Sequence, residues 1–309
     1  MPVDPELLKA QCGRTLARTE LQGLGTRIEG KVRDSYVRGD RRTLVATDRI
    51  SAFDVVLGTI PFKGQVLNQL AAFWFERTRE VAPNHVIAVP DPNVTIGREC
   101  RGVPLEFVVR GYLTGVTSTS IWTAYARGER VYCGHPLPEG LRKHERLPRP
   151  LLTPTTKAEH GEHDEVTSRE LAVGRGLLSA ARYDEAEAMV LRLFGEGQRW
   201  AEKQGLILVD TKYEVGLDDA GILTVIDEIH TPDSSRYWYL DSYERAMSEG
   251  ADPKAMDKEF VRRWLAERGY NGEGAPPALP DDLRCEAARR YIETYERITG
   301  LAFVPEGSH

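Results

Sequence analysis

The sequence predicts an α+β protein in two lobes with a cleft between them. From Thr26 to about Val109 it runs mostly in short β-branched or aromatic stretches bounded by Gly, Pro or Asp. A hairpin pattern, LILVDTKYEVGLDDAGILTVIDEI, stands far downstream, and three helical stretches close the chain. A strand-rich front and a hairpin-plus-helices back suit two packed layers rather than an all-β or all-α domain. At 309 residues there is chain for roughly two domains, expected as 1–108 and 109–309.

In order, RIEGKVRDSYV, RRTLVATD, DVVLGTI, HVIAVP and PLEFVVRGY read as strands of the first lobe. One helix interrupts them, NQLAAFWFERTREV, with Leu70, Phe73, Trp74 and Arg77 at helical spacing. Between about Val131 and Val166 the chain is rich in Pro, His and charge without periodicity, and reads as a long irregular segment. A helix near Tyr183–Gln204 follows, stopped by Gly205. The hairpin strands join through Asp-Asp-Ala-Gly, and a turn centred on Asp219–Ala220 would set Lys212 opposite Asp227. Of the closing helices the middle one carries the clearest signals. Asp252 is its expected N-cap and Pro253 its first residue, Met256, Phe260 and Trp264 share a face, and Gly269 stops it. The last, Leu283–Thr299, ends at Gly300.

Composition bounds the function. With 41% hydrophobic and 28% charged residues, wholesale disorder is excluded. A net charge of −6 argues against a nonspecific nucleic-acid binder. The four cysteines lie far apart without a C-x-x-C pair, which suits a reducing compartment and gives neither a zinc cluster nor a disulfide scaffold. No run approaches the ~18 apolar residues of a membrane span, and MPVDPELLKAQ lacks a basic region followed by an apolar core, so a cytoplasmic protein is expected.

The chemistry-bearing residues fall into several groups. In LILVDTKYEVG, Asp210, Lys212 and Glu214 share one strand face, with Val209, Thr211, Tyr213 and Val215 on the other. The partner strand ends in Asp227 and Glu228 between apolar neighbours, and buried carboxylates need a cation, a metal or several donors. Pattern alone also fits a solvated face with cross-strand ion pairs. The continuation Pro232-Asp233-Ser234-Ser235-Arg236 favours a ligand, because Ser hydroxyls and an Arg fork at a strand end suit phosphate or carboxylate. Gly30-Lys31-Val32-Arg33-Asp34 reads as a strand with two cations on one face, entered by glycine. No G-x-x-x-x-G-K-[ST], H-R-D or D-F-G motif occurs, which excludes a P-loop and an ordinary protein kinase. Asp48 and Asp54 flank an apolar step, and Lys63 stands beside Gly64. Glu106, Val108 and Arg110 alternate into a hydroxyl-rich loop, Thr117-Ser118-Thr119-Ser120. In TPTTKAEHGEHDE, the spacing of His160 and His163 does not suit a helical zinc site, while Asp164 and Glu165 suit a hard cation such as Mg2+.

Taken together, GKVRDSY, ATDRISAFDVV, KGQVLNQLAAFWF, EFVVRGYLTG, TPTTKAEHGEHDE, LILVDTKYEVG and DEIHTPDSSRYW, in this order from Gly30 to Trp238, resemble the SAICAR synthetase family in its longer form. The resemblance implies an ATP-grasp-like, kinase-related fold with nucleotide between the lobes. It also implies an activity in which ATP, an aminoimidazole ribonucleotide carboxylate and L-aspartate are joined with release of ADP and phosphate. By resemblance, Lys31, Arg33, Lys63 and Lys212 face the ATP phosphates, with the adenine hinge near Arg101–Glu106. Glu214, Asp227 and Asp164 are the implied Mg2+ ligands, and Lys212, Asp210 and Glu214 the implied catalytic core. Arg110, Asp210, Ser234 and Arg236 are expected on the ribonucleotide, Asp48 and Asp54 near its carboxylate, and Lys157 and Asp233 in the aspartate or imidazole pocket. Where relatives carry Ser after the Thr-Gly step this chain has Val116, leaving Ser118 or Ser120 for that phosphate contact. Small molecules are the expected partners, with neither nucleic acid nor membrane. Three rival readings follow from the residues: a small-molecule kinase sharing the cleft, an inactive nucleotide-binding module, and a glycoside hydrolase built on Asp227 and a second acid.

Overall fold

The computed structural model describes residues 3–53, 55–117, 119–157, 165–256 and 259–306, without the side chains of Glu259 and Phe260. Most strands lie in two antiparallel sheets. In the first, β1 (Thr26–Glu29), β2 (Arg33–Arg38), β3 (Arg41–Ala46), β7 (Val94–Arg98) and β6 (Val86–Asp91) lie side by side in that order. A hairpin of β4 (Arg49–Ala52) and β5 (Val55–Thr59) stands apart from it. The second sheet runs β11 (Arg146–Leu152), β8 (Arg101–Tyr112), β13 (Leu206–Leu217), β14 (Leu223–Ile226). β12 (Thr155–Thr156) adds to β8 and β15 (Ser235–Tyr239) to β13, while β9 (Val131–Tyr132) and β10 (His135–Pro136) pair separately. The chain passes from one sheet to the other between β7 and β8, so a division after residue 108 falls inside β8.

The helices are α1 (Pro5–Gln11), α2 (Lys63–Arg77), α3 (Ile121–Ala126), α4 (Arg169–Gly174), α5 (Ala180–Lys203), α6 (Leu240–Glu249), α7 (Glu259–Ala266) and α8 (Asp281–Thr299). One large core unites the layers. Leu67, Leu70 and Trp74 of α2, Leu105, Phe107 and Val109 of β8, and Val190, Leu193 and Phe194 of α5 belong to it, with Tyr213 and Val215 of β13 and Ala288 and Ile292 of α8. Burying these faces removes their apolar surface from water, the main term favouring the fold.

Several expectations change. α2 begins at Lys63, ahead of the expected Asn68, because Asp48 accepts from the Gly64 N–H and caps a helix whose own N-cap, Phe62, offers no side-chain bond. Gly64 is required there: a Cβ would stand 2.3 Å from the Ala46 carbonyl oxygen of β3. Asp252 is not an N-cap. Its carboxylate accepts from Lys143 Nζ (2.9 Å) and His144 Nε2 (2.7 Å), Ala255 bridges Trp238, and α7 starts only at Glu259. The segment expected to be irregular contains β9 to β12. Gly30–Val32 is the turn between β1 and β2 rather than strand, which leaves Lys31 exposed at its tip. The β13–β14 loop spans five residues, 218–222, because Asp218 Oδ1 accepts from the N–H groups of Ala220 and Ile222. The register pairs Glu214 with Ile226, so Lys212 is not opposite Asp227. A register shift between Leu208 and Asp210 sends Val209 to a small cluster with Ile207, Tyr112 and Trp238, away from Tyr213.

Candidate active site

The β8 and β13 strands alternate in opposite directions along one shared ladder. Arg110 faces Asp210, Val108 faces Lys212, and Glu106 faces Glu214. The other parity, Leu105, Phe107 and Val109 with Thr211, Tyr213 and Val215, is buried. Period-2 geometry therefore sends Glu106, Arg110, Asp210, Lys212 and Glu214 to the same face. Four residues separate Arg110 from Glu106, about 13 Å at ~3.3 Å per residue.

One end of this face is acidic with interleaved cations. Glu106 and Glu214 lie directly opposite, a repulsive pairing. Lys212 resolves it by donating from Nζ to Glu106 Oε1 (2.6 Å) and Glu214 Oε1 (3.1 Å). Lys157, just past β12, donates to the other oxygen of Glu214. Burial would lower the Lys212 pKa, but Glu214 and Glu106 outweigh it and hold the ammonium charged above the ordinary lysine value. Burial would likewise raise Glu214, yet Lys212 and Lys157 bring it well below the ordinary carboxylate range. After β14 the backbone turns at Asp227 with φ +68°, a left-handed conformation uncommon for a residue with a side chain. There Asp227 pairs with Arg33 of the first sheet, and Arg33 Nη2 lies 2.7 Å from Glu228 Oε1. Burial, with help from Glu214 and Glu228, pushes the Asp227 pKa up in spite of Arg33. The two sheets thus meet in a cluster of four carboxylates and three cations.

The other end is cationic. Asp210 sits between Arg110 on β8 and Arg236 on β15, with Oδ2 3.5 Å and 3.3 Å from their Nη1 atoms. Oδ2 is buried and, beyond these two ion pairs, makes no hydrogen bond among the described residues. Arg110 Nε donates to Thr153 Oγ1 (2.9 Å), which fixes the fork. Gly115 at φ +113° lets the following loop fold back, since a Cβ there would meet Ser120 Cβ at 2.4 Å and lie 3.7 Å from Arg236 Nη1. Ser234 is held near Thr231 and Ser235, and its carbonyl accepts from the Lys212 N–H (2.9 Å), which ties the Ser-Ser-Arg segment to the centre of the face.

Other expected residues lie elsewhere in the network. Asp48 is buried, and its two oxygens accept from the Leu16 (2.8 Å) and Gly64 (2.9 Å) N–H groups, so it is a structural staple and not a ligand for substrate or metal. Lys63 is wholly buried and bonds Asp233 Oδ2 (2.8 Å), while Tyr291 donates to Asp233 Oδ1 (2.6 Å). Those bonds join α2, the 231–235 segment and α8, and Lys63 does not face a polyphosphate. Ser120 caps α3, its Oγ accepting from the Thr123 N–H (3.3 Å). Asp54, Ser118 and Asp164 lie outside the described residues.

Residues with no assigned role also shape the site. Arg49 donates to the carbonyls of Ala17 (2.5 Å), Gly30 (2.9 Å) and Lys31 (3.1 Å) and to Asp34 Oδ1 (2.9 Å), clamping the turn that carries Lys31 and Arg33. Asp34, fully buried, also accepts from Thr19. A buried Arg-Asp step beside a glycine turn was the only hint of this in the sequence. Glu228 and Thr153 hold the Arg33 and Arg110 guanidinium groups; the carboxylate pair between apolar neighbours marked Glu228, and no local pattern marked Thr153.

Among the described residues no three His, Cys, Asp or Glu side chains form a ready metal cage. The donor set at the acidic end nonetheless fits a hard divalent cation. Glu214 and Asp227 offer carboxylate oxygens, and a bound cation would offset the burial that pushes the Asp227 pKa up.

Comparison with known proteins gives one family. The model described as SAICAR synthetase matches residues 26–277. Phosphoribosylaminoimidazole-succinocarboxamide synthase of Legionella pneumophila is 49% identical, over 91% of this chain and 89% of its own. The chloroplastic enzyme of that name from Arabidopsis thaliana is 50% identical over 95% of this chain and 72% of its own. The structure of the Saccharomyces cerevisiae SAICAR synthase complexed with SAICAR superposes with a TM-score of 0.81 at 31% identity, covering 93% of this chain and 99% of that one.

Proposed function

The chain belongs to the SAICAR synthetase family, and from that premise we propose the reaction it runs and the residues that run it. It is an ATP-dependent ligase of de novo purine biosynthesis that joins 5-amino-1-(5-phosphoribosyl)imidazole-4-carboxylate to L-aspartate, giving SAICAR, ADP and phosphate. A carboxylate does not acylate an amine directly, because oxide is a poor leaving group. Its oxygen therefore attacks the γ-phosphorus of ATP, ADP departs, and an acyl phosphate forms. The aspartate amine then attacks the acyl carbon, phosphate leaves with the original carboxylate oxygen, and the nitrogen loses a proton.

Both steps bring anions together, so charge neutralisation and alignment matter more than a protein nucleophile. The chain supplies both. Lys212, pinned by Glu106 and Glu214, is a fixed positive charge for the γ-phosphate. Lys31 and Arg33, presented by the turn that Arg49 clamps, reach the phosphates from the first sheet. Glu214 and Asp227 would hold Mg2+, which would supply further neutralisation of the phosphate charge. Lys157, which pairs with Glu214, places a second ammonium at this end for the carboxylates of the aspartate substrate. At the far end Arg110 and Arg236 receive the ribonucleotide phosphate bidentately, and Asp210 Oδ2 accepts from a ribose hydroxyl.

The observation that carries this reading is the single polar face of β8 and β13, with a metal-type acid cluster and an arginine pair about 13 Å apart. A glycoside hydrolase has no use for the lysines of this face. The test is phosphate release from ATP and Mg2+ with the ribonucleotide and each amino acid in turn. Release requiring both ribonucleotide and aspartate supports the ligase; release with the ribonucleotide alone, indifferent to aspartate, would sink it. No helix among the described residues is long and apolar enough to cross a membrane.

A further inference from the structure

We propose that Cys12 and Cys285 are an oxidisable dithiol, a modification site that closes into a disulfide joining the first helix to the last. Cys12 is the C-cap of α1, and Cys285 lies 273 residues further on, in the second turn of α8. Their sulfurs are 3.7 Å apart. A disulfide needs about 2.05 Å, so the sulfurs must approach by about 1.7 Å, within reach of small side-chain rotations. The backbones are already held together independently of the thiols. Arg284, next to Cys285, donates from Nη2 to the Cys12 carbonyl (2.9 Å) and from Nε to the Thr59 carbonyl (2.8 Å). Cys100 has a different environment, donating to the Arg98 carbonyl at 3.8 Å.

The two thiols differ in access. Cys285 is partly exposed and meets soluble oxidants, while Cys12 is buried. With a low-molecular-weight disulfide as oxidant, the Cys285 thiolate attacks one of its sulfurs, forms a mixed disulfide and expels one thiolate, which takes up the proton Cys285 released. Cys12 then gives up its proton and attacks Cys285 Sγ, expelling the second small thiol. Two protein thiols lose two electrons and the small disulfide becomes two thiols. Burial and the Cys285 hydrogen bond push the Cys12 thiol up to about 12, so ring closure is the slower step. The cross-link spans nearly the whole chain and therefore removes much freedom from the unfolded state.

The experiment treats the full chain with oxidised glutathione, alkylates remaining thiols and digests without reductant. Free thiols are expected to fall from four to two, with one cross-linked peptide pair containing Cys12 and Cys285. The melting temperature is expected to rise, reversibly with dithiothreitol, in the wild-type chain and not in Cys285→Ser. Cys12→Ser is expected to stop at glutathione on Cys285. Survival of all four thiols, or glutathione resting on Cys285 of the wild-type chain while Cys12 stays alkylatable, would overturn the proposal.

Discussion

Lys212 holds apart two glutamates that the β8–β13 register forces face to face. Lys212→Ala is expected to abolish ligase turnover, at least 1,000-fold in kcat, while circular dichroism stays native; near-normal turnover would remove Lys212 from the mechanism. Arg236→Ala is expected to act differently, raising the apparent KM for the ribonucleotide by about tenfold or more with a smaller change for ATP. Asp48, expected from sequence near the substrate, belongs to the scaffold. Asp48→Ala leaves two buried N–H groups unpaired, a cost on the order of 3 kcal/mol, and should lower the denaturation midpoint with the ribonucleotide KM intact. A raised KM at unchanged stability would restore its place in the site. His85 and His230 are buried neutral imidazoles, pushed by burial from 6.5 to about 4 and about 3. Below pH 6.5 the unfolded chain takes up protons that the folded chain refuses, so their contribution is complete above 6.5 and is lost as pH falls toward about 4. Urea midpoints measured from about pH 7 to about pH 5 should decline; a flat profile would contradict the burial of these rings.

Strand periodicity made much of the face legible from the sequence. Asp210, Lys212 and Glu214 share a parity, and so do Glu106 and Arg110, because alternation needs no tertiary information. The pairing across strands was less legible. One extra residue in the 218–222 loop shifts the register by one, and a positive φ at Asp227 then swings its carboxylate to Arg33, which no propensity foretells. The start of α2 is hidden for a similar reason, since its cap comes from Asp48 on a separate segment, and the helix ends at Arg77, before the expected Val81. Nor does any local pattern distinguish Lys63, buried against Asp233, from Lys31, exposed at a turn. At α3, Ser120 is a capping residue, so Ser120→Ala should cost about 1 kcal/mol of stability, read as a lower urea midpoint. If the midpoint holds and only the ribonucleotide KM rises, Ser120 is a phosphate ligand instead.

Across the molecule, the two sheets touch where Asn84 bridges Val225 and the His85 N–H reaches the Val225 carbonyl (3.1 Å). Arg33 crosses the same junction to Asp227 and Glu228. A ligand bound there contacts both sheets and binds only the folded chain, so Mg2+ with ATP at a hundred times its Kd should add about 2.7 kcal/mol and raise the melting temperature by several degrees. No shift, or an equal shift in Lys212→Ala, would place the nucleotide elsewhere. In the proposed mechanism the step that joins the two ends of the polar face is phosphoryl transfer to the substrate carboxylate. The most direct measurement is to label that carboxylate with oxygen-18 and follow turnover by mass spectrometry of the phosphate. One labelled oxygen is expected in each phosphate released, carried over from the acyl phosphate. Unlabelled phosphate from an enzyme that still makes SAICAR would contradict it.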